Sequence, residues 1–171
     1  MALVRDNALV ADEYFHVADG AEIPPAGPVL VSFDQWQAHR ERLLKRGAPV
    51  GVRLHSDQSP ELIAEDLPQL ALVALEFPKF RDGRAYSYAR ILRERYGFRG
   101  EVRAVGEVLM EQLHFMVRTG FNAFEIEGPD PLRQLKVALG DFSVWYQPTG
   151  DGRKTAVDLR HAQKPRGPSR A

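Results

Sequence analysis

The sequence predicts one α/β domain of repeated strand–helix units around a mostly parallel sheet, and three observations predict it. Short apolar runs begin at intervals of about twenty residues, a segment of helical spacing follows nearly every run, and glycine or proline stands at the joints. Strands alternating with helices of this length imply βαβ units with right-handed crossovers. At 171 residues the chain has the size of one domain with a sizeable core.

Taken in order, Met1 to Gly27 has no clear period, and its hydrophobic residues Tyr14, Phe15 and Val17 precede Pro24, Pro25 and Gly27. It is expected to be an extended arm, with a hairpin as one form, that packs on the domain and ends at the proline turn. The α/β domain is placed at 28–149. Val29 to Val31 is a strand, and a helix over about Gln35 to Lys45 stops at Gly47. Val50 to Leu54 is the next strand. Ser59 then caps a helix with Pro60 at its first position.

Leu70 to Leu75 is apolar on both faces, as in a covered parallel strand. A helix over about Arg84 to Arg95 ends at Gly97, Glu101 to Val105 is a strand, and Val108 to Arg118 a helix ending at Gly120. Phe121 to Ile126 is a strand, Pro131 opens a last helix through about Leu139, and Phe142 to Tyr146 is expected to be a sixth strand. The residues 150–171 carry Arg153, Lys154, Arg160, Lys164, Arg166 and Arg170 against Asp151 and Asp158, and are expected to form a flexible basic tail. Two closures suit this order: an open sheet with helices on both faces, which six strands favour, and an incomplete barrel of the TIM type.

Composition removes several chemistries. Cysteine is absent, so the chain itself supplies no thiol nucleophile, disulfide exchange, thiolate zinc site or thiolate-held iron–sulfur cluster. Basic and acidic residues balance at 23 each, which leaves no charge excess for nucleic acid or an anionic membrane. The first residues form neither a signal peptide nor an anchor, and Leu70 to Leu75 is far shorter than the ~20 residues of a spanning helix. A cytoplasmic protein is expected. No G-x-G-x-x-G, G-x-x-x-x-G-K-[ST] or G-x-S-x-G occurs. Flavin binds without a glycine fingerprint in some proteins, so the cofactor is left unknown.

In either closure a ligand belongs where strand carboxyl ends meet helix N-termini. The loop from Phe77 to Arg84 stands out there, because Lys79, Arg81 and Arg84 gather beside a helix start that normally prefers acids. An anion resolves that conflict; a solvated turn with Asp82 as the cap, and a partner surface, are the alternatives. Arg103 lies in an apolar strand and either lines a site or pairs with Glu125 or Glu76. His55 and Asp57 are candidates for acid–base work. Glu107, Glu111 and His114 have partial metal-ligand spacing, but a single Glu-x-x-His more often marks an exposed helix face, and no metal is expected.

The run FPKFRDGRAYSYARILRERYGFRGEVRAVGEVLMEQLHFMVRTGFNAFEI from Phe77 to Ile126, with VGVRLHSD upstream, resembles a bacterial domain-of-unknown-function family, number nine-three-four. The likeness covers about Pro28 to Gln147. Members are often labelled probable oxidoreductases of sulfite reduction, a label that implies a pathway rather than a mechanism. The resemblance marks Lys79, Arg81, Asp82, Arg84, Tyr86, Ser87, Arg90, Arg93, Arg103, Gly106 and Gln112 as recurrent polar positions. Thr119 stands where the family pattern has cysteine, which puts thiol chemistry in doubt, and Glu107 and Glu111 replace what is more often aspartate. The function expected is an accessory protein of sulfite or sulfate assimilation that binds a small anionic metabolite. The alternative is a non-catalytic partner docked on sulfite reductase or another pathway enzyme through this loop, Tyr86 and Tyr88.

Overall fold

A computed structural model describes residues 1–140 and 142–163. One eight-stranded sheet runs β2-β1-β8-β7-β6-β5-β4-β3, with β1 Ala2–Arg5, β2 Ala8–Val10, β3 Phe15–His16, β4 Val29–Ser32, β5 Val50–Leu54, β6 Leu72–Phe77, β7 Glu101–Gly106 and β8 Ala123–Ile126. From β3 to β8 every neighbour is parallel and follows in chain order. Crossovers that always step the same way, and are right-handed, place their helices on one face of the sheet. The α/β class is therefore as expected, and of the two closures the sheet takes the incomplete barrel.

The chain path shows why the sheet curls. Only four residues separate the end of β2 from the start of β3, although these strands are the sheet's two edges. The five Cα–Cα steps from Val10 to Phe15 span at most about 18 Å, whereas the edges of a flat eight-stranded sheet lie roughly 33 Å apart. Curling brings the edges within reach, and residues 11–14 cross the concave side as a strap.

The two faces differ accordingly. Val29, Val31, Val52, Leu54, Val73, Leu75, Phe77, Val102, Ala104, Phe124 and Ile126 pack with the helices in the main core. Leu30, Leu72, Ala74 and Val105 form a smaller cluster on the concave side, covered by Tyr14 of the strap.

The helices start where local chemistry allows. α1, Phe33–Lys45, opens on a reciprocal capping box between Ser32 and Gln35. α2, Arg84–Arg90, continues into one π turn, Ile91–Arg95. α3, Met110–Thr119, ends at Gly120 with φ of 114°. α4, Pro131–Gly140, has its first turn held by Asp130, which accepts from Arg133 N–H at 3.0 Å. After Ser59 the cap is present, but the chain makes two 3₁₀ turns, Pro60–Ile63 and Leu67–Gln69, because Pro68 interrupts any longer helix.

Two expectations need correction, those for Phe142 to Tyr146 and for the C-terminal tail. Phe142 to Tyr146 is not a strand of the sheet. The edge of β8 that it would need is taken by β1, which pairs there antiparallel, and Phe142, Val144 and Tyr146 stay exposed. The arm takes the hairpin form and adds three strands to the sheet: Asp6 and Asn7, both with positive φ, turn β1 into β2 as a tight hairpin, and β3 pairs with β4. The segment expected as a flexible tail forms α5, Ala156–Gln163, with Thr155 and Ala156 buried. Lys164, Arg166 and Arg170 lie outside the described residues.

Candidate functional site at the carboxyl-end rim

The parallel strands β5, β6 and β7 deliver three adjacent loops to one rim. On β6, Phe77 is buried and stacks edge-on against Tyr86 of α2 at 5.1 Å, which fixes where the intervening loop leaves the sheet. Phe80 N–H donates to Glu107 Oε2 at 2.9 Å, tying this loop to the one after β7. Gly106 is required at the joint. Its φ is +89°, and a Cβ there would stand 2.5 Å from the Phe77 carbonyl oxygen.

The cations of the loop differ in what holds them. Arg84 Nε donates to Asp82 Oδ1 at 2.9 Å, and Nη2 donates to Asp82 Oδ2 at 2.6 Å and to Ser56 Oγ at 2.9 Å. The guanidinium is thus braced between β5 and β6, with Nη1 left open to solvent. The Arg84 hydrogen bonds hold the Asp82 carboxyl far below the usual carboxylate range. Lys79 and Arg81 are exposed, and among the described residues neither has a carboxylate within 4.0 Å. Asp82 and Glu107 belong to the same loops, and Asp57 acts on Arg84 across the rim.

Tyr86 and Gln112 hold the rim rather than present themselves on it. Tyr86 is half-buried against Phe77 and Phe115 and bonds to Gln112, and burial pushes its hydroxyl up in pKa. Buried Gln112 also accepts from Leu109 N–H at 3.0 Å, capping α3. The Tyr88 hydroxyl donates to Ser56 O at 3.2 Å. Ser87 is exposed beside Arg90, Ile91, Glu94 and Arg95 in a separate shallow groove. Arg90 pairs with Glu94, and Arg93 donates to the carbonyls of Phe98, Gly100 and Gly120.

His55 and Asp57 do not form a pair. The His55 Nδ1 instead meets Glu76 Oε2 across β5 and β6. The register Arg53↔Ala74 places His55 and Glu76 opposite each other on the concave face, a juxtaposition the parity of two adjacent strands could have shown. Asp57 is exposed.

Arg103 lies elsewhere, fully buried in the middle of β7. One row of the concave face runs Ser32, Arg53, Ala74, Arg103, Ala123, Arg5 across six strands. The two alanines give the guanidinium its space. Its Nε donates to Glu101 Oε1 at 2.6 Å, and Nη1 and Nη2 clasp Asp12 of the strap at 2.7 and 3.2 Å. Nη1 also lies 3.2 Å from Glu125 Oε1. Arg5 donates to Glu101 Oε2 at 3.2 Å. The partner is Glu125 as expected, whereas Glu76 is engaged by His55.

Asp12, His16 and Glu125 bring three ligand-type atoms within 4.8 Å of one another. Arg103 Nη1 is what they surround, at 2.7, 3.3 and 3.2 Å. A guanidinium already fills that position. The convergence of Asp12 and His16 left no readable signal, because the i,i+4 spacing lies in an arm without helical character. His114 stacks on Trp145 at 5.8 Å and accepts from its indole N–H.

Among the described residues no helix is long and apolar enough to cross a membrane. A family model described as bacterial protein of unknown function (DUF934) matches residues 51–157. No curated protein matches the chain at a significant level.

Proposed function

The chain belongs to that bacterial family of unknown function, whose model covers residues 51–157, and on this premise we propose an accessory protein of sulfite or sulfate assimilation that binds a small anionic metabolite on the rim of β5, β6 and β7. One observation carries the reading. Three cations share a single loop, and only Arg84 has an acid beside it. Arg84 is held in one orientation by Asp82 and Ser56, and the exposed Lys79 and Arg81 of the same loop would join it on a sulfate, sulfite, phosphate or carboxylate group. The pathway comes from the family resemblance.

A second reading rests on Phe80, which is 51% exposed between Lys79 and Arg81. An apolar ring flanked by cations suits docking on an acidic patch of sulfite reductase or another pathway enzyme. Tyr86 and Tyr88 support it little, since both are engaged internally.

Thermal unfolding of wild type and Arg81→Ala, across sulfate, sulfite, phosphate and adenosine nucleotides, tests the two readings. Arg81 makes no ion pair, so the anion-free midpoints should agree. An anion at a hundredfold excess over its Kd stabilises the wild type by about 2.7 kcal/mol, on the order of 5–10 °C for this size, and the variant by clearly less. If no anion shifts the wild type, or both proteins shift equally, the anion reading fails and docking replaces it.

A further inference from the structure

Beside the cationic rim, the carboxyl ends of β4 and β5 frame a cavity of about 350 Å³ lined by Asp19, Ser32, Asp34, His39, His55 and Gln58. We propose that this cavity is a second binding site, in which His55 and Glu76 work as an acid–base dyad on a small ligand bearing hydroxyl or ammonium groups. It is independent of the anion reading.

The tautomer follows from the partner. A carboxylate only accepts, so the Nδ1 that meets Glu76 carries a proton, and in the neutral form of the ring the lone pair is on Nε2. Glu76 lies on β6, on one side of β5, and the cavity lies toward β4 on the other. The ring edge away from Glu76 is therefore the one turned to the cavity. The backbone is locked around it. His55 N–H donates to Gln58 Oε1 at 2.9 Å, and Gln58 N–H returns a bond to His55 O at 2.9 Å. Such a base, oriented by a carboxylate and open at Nε2, has the arrangement general base catalysis uses.

The lining specifies the ligand's chemistry. Gln35 seals the cavity's floor and is fully engaged by Ser32, Ala18 O and Ala21 O, and Asp19 is paired with Arg53 at 3.2 Å. Asp34 and His55 Nε2 remain as acceptors, and no Lys or Arg side chain lines the cavity. A ligand that donates to these two groups fits them. In the step itself a ligand O–H or N–H bond breaks, its proton bonds to Nε2, and Glu76 stays ionised against the imidazolium. The ring returns the proton as an acid, so no other reagent enters. A volume above 300 Å³ suits a small metabolite.

Two measurements on the full chain test this. Two-bond ¹H–¹⁵N correlation in wild type should show His55 protonated at Nδ1. Titration with ethanolamine, which carries one ammonium and one hydroxyl, should move the His55 ring signals saturably, with the effect lost in Asp34→Asn. Diethylpyrocarbonate labelling read by peptide mass spectrometry should then slow several-fold at His55 in Glu76→Gln while His39 labels as before. A proton on Nε2, no saturable shift, or unchanged labelling in Glu76→Gln overturns the proposal and leaves the pair as a cross-strand tie. These outcomes say nothing against anion binding, which involves Lys79 and Arg81.

Discussion

At the scale of single residues, Arg103 decides how the N-terminal strap is held. It is enclosed by Glu101, Glu125 and Asp12, and its plane lies 5.7 Å from the Tyr14 ring centroid. Burial opposes its charge, but bonds to Asp12 and Glu101 outweigh that and raise its pKa. Arg103→Met keeps much of the volume and strands two buried carboxylates, leaving Arg5 beside Glu101 and His16 beside Glu125. Breaking such a network costs about 3–5 kcal/mol, a fall in midpoint of roughly 10 °C, read by calorimetry; Glu125→Gln should restore part of it in the double variant. The network also has an acid limit. Burial raises the Asp12 carboxyl, yet bonds from Arg103 and Tyr14 N–H leave it below its ordinary value. A depressed folded pKa stabilises above the unfolded value of about 4 and is lost as pH falls through the folded one. The arginine itself was visible in the sequence as a charge in an apolar strand, and Glu125 as its partner. Asp12 was not, because the contact spans 91 residues and no local period announces it.

At the scale of elements, the strands from β4 to β8 and the helices α1 to α4 were legible, since each rests on local spacing and a cap or stop near it in sequence, whereas the helix expected after Ser59 is two 3₁₀ turns. Elements whose place depends on a distant partner were not. The first ten residues alternate weakly, and only pairing with β8 makes β1 a strand. Phe142 to Tyr146 has the alternation without an available edge. α5 was hidden by its charge. The segment leading into it is held by Arg118, a buried side chain of α3 that bonds to Asp151, Gln147 O and Thr149. Truncation after Thr149 removes Asp151 and uncovers that arginine, so the midpoint should drop by several degrees in thermal unfolding, where a freely solvated tail would leave it unchanged.

At the scale of the whole molecule, closure was undecided in sequence because six predicted strands suit an open sheet; five of them form, and the three strands of the arm complete the curl. The curl gathers the loops of β5, β6 and β7 on one rim, and the cationic loop found from sequence stands on it. What the sequence did not show was the division of labour there: Arg84 braced by Asp82 and Ser56, Lys79 and Arg81 unpaired, the tyrosines turned inward. The most direct test of the central claim is an NMR titration of the ¹⁵N-labelled protein with sulfite, and in parallel with sulfate and phosphate. The account predicts saturable shifts confined to the amides of residues 79–84, Ser56 and the Arg84 Nε–H for at least one of these anions. Shifts absent for all three, or spread evenly over the basic surface without saturation, would contradict it.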